Sequence, residues 1–279
     1  MTSSAPPPGG PDTVVLIHGL WMTPLSWEHW VERYGARGYA VVTPAWPRMD
    51  VPIEDLRRDM SAVAGLGVTE VVDHYDKIIR GLDSPPIIMG HSYGGLFTQI
   101  LLDRGLGAAG VSLAPAPVKG VLRLPASTLR VAFPALRNPA NVRKAMPLTA
   151  EQFRYAFGNT LSEEESLAAY HRYAVPGPDR VLFQAGLANL TPHAATKVDF
   201  GKADRAPLLL IAGGKDHISP PAPIKEAAGH YRKSPAATEY KEYPDRSHFT
   251  VGEPGWEEVA DYALDWAAAQ AAGRTTPAG

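Results

Sequence analysis

The sequence contains no cysteine. Disulfides, thiolate zinc sites, iron–sulfur clusters and a cysteine nucleophile are therefore excluded. A chain without thiols suits a reducing compartment, and a cytoplasmic location is the expectation. An excess of charge of one sign is also missing. The formal net charge is −2 over 279 residues, which gives no electrostatic ground for a nucleic-acid partner. No apolar run approaches the ~18 residues of a membrane span. The opening segment MTSSAPPPGGPD lacks the basic start and apolar core of a secretory signal. Residues 1–12 are expected to form a disordered lead-in, and residues 270–279 a disordered tail. No internal repeat is visible. None of the nine histidines falls into an H-E-x-x-H or similar ligand spacing, so no metal is expected, and the chemistry that the motifs below imply calls for no organic cofactor.

Short apolar runs are plentiful. Thr13 to Ile17, Tyr39 to Thr43, Pro85 to Met89, Ala109 to Leu113 and Pro207 to Ala212 each read as a strand, and the more polar Thr238 to Tyr243 reads as a sixth. Helical periodicity marks Trp27 to Gly35, Asp55 to Ala64, Thr69 to Arg80, Gly94 to Arg104, Ile224 to Tyr231 and Trp256 to Ala269. Val71, Val72, Tyr75, Ile78 and Ile79 give the third of these one apolar side. Strands that alternate with helices predict an α/β fold. Its sheet is mostly parallel, has about six strands, and carries helices on both faces. The alternation stops between residues 115 and 206. That stretch is too long for a bare loop and shows helical patches without a convincing strand. The expected organisation is an α/β core over 13–114 and 207–269, with a helical cap over 115–206.

Gly90-His91-Ser92-Tyr93-Gly94 is a G-x-S-x-G motif. It directly follows one predicted strand and directly precedes a predicted helix, the context in which a sharp turn exposes a serine hydroxyl. Serine is a weak nucleophile and needs a base, which in turn needs an orienting carboxylate. Asp216 follows the strand PLLLIA, and His248 follows the last strand. Asp199 and Asp204 precede their strand, and Asp245 is a rival beyond the last one. The oxyanion of acyl transfer needs two donors. The backbone N–H groups of Tyr93 and Leu20 are the candidates, with Trp21 next to Leu20. Trp21 and Ile218 flank these positions and are candidate pocket residues.

His18-Gly19, the elbow at Ser92, Asp216 and Ser247-His248 occur in order, each after its strand. This resembles the α/β-hydrolase superfamily, and most of all its capped single-domain branch. That branch includes bacterial esterases, C–C bond hydrolases and cofactor-free haloperoxidases. Ser92 sets the chain apart from branches with aspartate at the elbow. Phe249 after the histidine sets it apart from plant-type hydroxynitrile lyases, which carry lysine there. The resemblance implies a serine hydrolase that cleaves a carboxylic ester through an acyl-enzyme. The aromatic residues Phe133, Phe153, Tyr155, Phe157, Tyr170, Tyr173 and Phe183 of the expected cap would suit a small apolar or aromatic acyl group. A lactonase, a C–C bond hydrolase on the same triad, and a triad-retaining binding protein are the alternatives. A monomer or small homo-oligomer is expected. Arg123, Arg130, Arg137, Arg143 and Lys144 make the early cap basic, and they are read as a solvated face.

Overall fold

The computed structural model describes Pro6 and residues 9–275. Along the chain lie β1 (Thr13–Ile17), α1 (Glu28–Ala36), β2 (Ala40–Val42), α2 (Ile53–Arg58), α3 (Val68–Arg80), β3 (Ile87–His91), α4 (Tyr93–Asp103) and β4 (Ala109–Leu113). Next come α5 (Ala126–Leu136), β5 (Ala145–Met146), α6 (Ala150–Ala156), α7 (Glu163–Tyr173), β6 (Gly177–Pro178) and α8 (Asp179–Gly186). The chain then forms β7 (Leu208–Gly213), α9 (Pro221–Tyr231), β8 (Thr238–Tyr243) and α10 (Trp256–Thr275).

Six strands form one sheet in the order β2-β1-β3-β4-β7-β8, and every pairing in it is parallel. The predicted α/β class therefore holds, with helices around a parallel sheet. Val14 to Ile17, Ile87 to Met89 and Leu208 to Leu210 are fully buried, as expected for strands covered on both sides. Each such side chain contributes about 1.5–3 kcal/mol by leaving water. The chain runs from β1 out to β2, then crosses back to β3 on the other side of β1. This reversal makes the carboxyl ends of β1 and β3 the switch point of the sheet, where ligands bind in sheets of this kind.

Four expectations need correction. The helix expected over 55–64 breaks at Asp59, whose carboxylate accepts from the Ser61 N–H and caps a separate 3₁₀ turn, Met60–Val63. The stretch between β4 and β7 does contain strand: β5 and β6 pair antiparallel as a two-residue ribbon. The last helix does not stop at Ala269 but runs to Thr275, because the alanine-rich sequence favours continuation. Residues 270–275 are therefore helical rather than disordered, and 276–279 lie outside the described residues. At the other end Pro11 is buried and the Asp12 carbonyl accepts from the Ala40 N–H at 2.8 Å, so order begins before Thr13. Residues 1–5, 7 and 8 lie outside the described residues. Among the described residues no helix is long and apolar enough to cross a membrane.

Candidate active site

The elbow is built by close packing of backbone. Ser92 has φ 56° and ψ −117°, a strained conformation for a residue with a side chain. Its N–H donates to Leu113 O at 2.9 Å, and its carbonyl accepts from Leu96 and Ala116. The glycines are dictated by space. A Cβ at Gly94 would lie 2.0 Å from Ile17 O, and one at Gly90 would lie 2.0 Å from Gly94 O. With no side chains there, β1, β3 and α4 converge behind Ser92. Tyr93 is the first residue of α4, so its N–H has no acceptor within the helix. A Cβ at Gly19 would fall 2.9 Å from Ser92 Cβ, which shows how closely the loop after β1 lies against the serine. Trp21, in that loop, also has positive φ (64°).

Asp216 and His248 meet. His248 Nδ1 lies 2.7 Å from Asp216 Oδ2, and both side chains are fully buried. Asp216 Oδ1 accepts from the N–H groups of Ile218 and Ser219, each at 2.7 Å. The carboxylate thus receives three donors and its orientation is fixed. The proton of His248 is then on Nδ1, and Nε2 presents a lone pair. That Nε2 is buried and has no hydrogen-bond partner among the described residues, so no bond links it to Ser92 in this structure.

Two more histidines frame the site. A carbonyl can only accept, so His91 Nε2 donates to His248 O at 2.8 Å. Burial holds His91 well below the usual histidine pKa. His18 Nε2 accepts from the Trp46 N–H at 3.2 Å, and its Nδ1 pairs with Gly19 O at 3.0 Å. Burial lowers the His18 pKa to about 4.

The rivals fall away on exposure. Asp245 is 87% exposed and pairs with Lys215, and Asp204 is 84% exposed. His217 donates to Tyr155 O at 2.8 Å. Among the described residues no group of three or more histidines and carboxylates is placed to hold a metal ion.

Sequence reasoning missed Glu253. It is buried, and its carboxylate accepts from Ser247 N (2.9 Å), Ser247 Oγ (2.8 Å) and Thr160 Oγ1 (2.6 Å). It locks the loop that carries His248, and no spacing rule would have found it. Residues 115–206 touch every loop of the site. Val175 N donates to Trp21 O at 3.0 Å, and Trp21 Nε1 to Met146 O at 3.1 Å. Thr128 Oγ1 donates to Ile218 O at 2.7 Å, and Asn159 Nδ2 to Lys215 O at 2.9 Å. Phe157 meets the His248 ring edge-on, with centroids 5.0 Å apart. Ser92 is consequently only 3% exposed.

Residues 14–262 match the alpha/beta hydrolase family. This chain belongs to that family. No curated protein matches the sequence. Among solved structures, a methylesterase from Arabidopsis is similar at TM-score 0.63 and 15% identity, covering 91% of this chain and 98% of its own. A monoacylglycerol lipase from Paleococcus ferrophilus is similar at TM-score 0.61 and 20% identity, covering 94% and 96%. A pyrethroid hydrolase from Sphingobium faniae is similar at TM-score 0.62 and 19% identity, covering 94% and 99%. At these identities the likeness concerns the fold. The family match and the shared fold bear out the predicted superfamily.

Proposed function

We propose that this α/β hydrolase cleaves carboxylic esters through Ser92, His248 and Asp216. The observation that carries the reading is the buried His248–Asp216 bond, which leaves Nε2 without a partner on a residue tied through His91 to the strained serine elbow. The names of the similar structures, a methylesterase, a lipase and a pyrethroid hydrolase, point the same way.

In this mechanism His248 Nε2 removes the Ser92 proton as Oγ attacks the ester carbonyl. Asp216 holds the ring and stabilises its positive charge. The backbone N–H groups of Leu20 and Tyr93 receive the oxyanion, and each is worth ~10²–10³ in turnover. The protonated His248 hands its proton to the departing alkoxide. Water, deprotonated by His248, then attacks the acyl-Ser92 ester; the acyl–Oγ bond breaks, the acid leaves, and His248 returns its proton to Ser92 Oγ. No step calls for a cofactor. Residues 115–206 act as the cap, and Trp21 and Ile218 border the acyl pocket. The closed contacts between cap and loops fit a cap that must shift before substrate reaches Ser92. The Ser92–His248 hydrogen bond forms on substrate binding, as catalytic bonds often do.

The test is a p-nitrophenyl ester panel set beside lactones and β-diketones, with fluorophosphonate labelling. Ester turnover in the wild type, lost together with labelling in Ser92→Ala, is the expected result. Undiminished turnover in Ser92→Ala would sink the assignment. Faster cleavage of lactones or diketones would move the chain to another reaction class on the same triad. A folded protein that the probe does not label would make it a binding protein.

A further inference from the structure

One buried carboxylate beside the site has no role in this chemistry. Asp179 opens α8 directly after β6 and is 1% exposed. Neither of its oxygens has a hydrogen-bond partner among the described residues. Asp179 is the first residue of α8, after Pro178 at the N-cap, and its carboxylate takes no donor from the helix's first turn. Lys144 supplies an attractive charge through space, without an ion pair. A carboxylate sealed from water and left unpaired is strongly unfavourable unless something arrives to pair with it.

Its neighbours fix where it stands. Two residues before it, a Cβ on Gly177 would fall 2.5 Å from Leu20 Cδ1 and 3.0 Å from Trp21 Cδ1. Two residues after it, Val181 O accepts the Tyr93 hydroxyl at 3.2 Å. Asp179 therefore lies between contacts to the loop after β1 and to the start of α4, which carry the proposed oxyanion donors Leu20 and Tyr93. We propose that Asp179 is the recognition group for a cationic nitrogen, so that the preferred esters carry a primary or secondary ammonium group. This rests on the ester-hydrolase reading of Ser92. Ammonium N–H groups donate to the carboxylate oxygens and neutralise the buried charge together, which a hydroxyl cannot do. Burial pushes the Asp179 carboxyl up to about 6, which still leaves it ionised at neutral pH.

Two isosteric substrates test this. p-Nitrophenyl heptanoate and p-nitrophenyl 6-aminohexanoate differ only in a terminal methyl against a terminal ammonium. n-Pentylammonium and n-pentanol, as inhibitors, cover a nitrogen carried on the alcohol side. In the wild type the amino ester is expected to have the higher kcat/KM, by about tenfold or more and mostly through KM. Pentylammonium should inhibit better than pentanol by a similar factor. Asp179→Asn and Asp179→Leu, checked for folding by circular dichroism, should bring both ratios to near 1. Ratios near 1 in the wild type overturn the proposal, as does a preference that survives in either folded variant. If both variants misfold, the two wild-type ratios decide. If neither ester is cleaved and fluorophosphonate does not label Ser92, the hydrolase reading falls. Calorimetry of pentylammonium on the wild type then judges Asp179 by itself.

Discussion

Acidification from pH 7.5 to pH 5 should cost this fold about 2 kcal/mol through His18 alone. The ring is fully buried and stacks on Trp46 with centroids 5.2 Å apart. Its Nε2 faces the Trp46 N–H, so a second ring proton would point one donor at another. Burial is the larger influence and lowers the pKa from 6.5 to about 4, against a small upward pull from the bond to Gly19 O. The unfolded chain keeps the ordinary value of about 6.5. The folded pKa lies below the unfolded one, so the unfolded state takes up the proton first as pH falls. Stability is complete above the unfolded value, declines through the interval between the two, and levels off below about 4. Integration over proton uptake gives a loss of ~0.8 kcal/mol at pH 6, ~2 at pH 5 and ~3 at pH 4. His91, also depressed by burial, adds a loss of the same sign. The His18→Gln variant removes the titrating ring and keeps an acceptor for Trp46. Denaturant unfolding followed by tryptophan fluorescence, in both proteins at pH 7.5, 6 and 5, isolates the His18 contribution because His91 is common to both. Parallel pH slopes would refute the reasoning, and so would a wild type that gains on the variant with acid. An NMR titration of the His18 ring with a midpoint near 6.5 would do the same.

Two further outcomes follow from the geometry. In Asp216→Asn the two N–H donors from Ile218 and Ser219 hold the amide oxygen at the Oδ1 position, which leaves the NH₂ facing His248. The ring must then accept at Nδ1 and carry its proton on Nε2, so kcat should fall by up to ~10⁴ while KM changes little. Stopped-flow acylation measures this, and a loss under tenfold would contradict the orienting role of Asp216. In Gly94→Ala the new methyl would sit 2.0 Å from Ile17 O, on backbone that cannot step aside. Unfolding free energy should drop by about 3 kcal/mol, and Ser92 labelling should slow because the elbow is displaced. A stable variant that labels at the wild-type rate would show that β1 and α4 are not in contact there.

Sequence patterns revealed the sheet because its strands are short and either continuously apolar or, in Thr238–Tyr243, built of charged residues interspersed with threonine and tyrosine. Ala109–Leu113 and Thr238–Tyr243 begin and end where the pattern predicts. Asp216 and His248 were legible because chemistry and chain order constrained them: a base must follow the acid, each beyond a strand. The break at Asp59 was hidden, since an Asp-x-Ser turn competes with helix locally and leaves the apolar spacing intact. The ribbon of β5 and β6 was invisible, because two-residue strands, one ending in Pro178, carry no alternation. Asp179 and Glu253 look alike in sequence, each an acid in a loop or at a helix start. Only tertiary contacts distinguish them: Glu253 is saturated by three donors and Asp179 has none.

That contrast suggests how the labour is divided around Ser92. Glu253 accepts from Thr160 on one side and from Ser247 on the other, so it fastens residues 115–206 to the loop that bears His248. Asn159 does the same for the loop that bears Asp216. Val175 and Met146 do so for the loop after β1. Each group expected to act in the chemistry is therefore held twice, once by the sheet from which its loop emerges and once by the chain that covers it. Holding at both ends keeps His248 rigid while its Nε2 stays unbonded, a buried lone pair that only Ser92 or a substrate can satisfy. A saturated carboxylate suits that fixed scaffold. An unsaturated one, such as Asp179, does nothing for the scaffold and lowers stability. Its presence in the same stretch is better explained by what it binds than by what it supports.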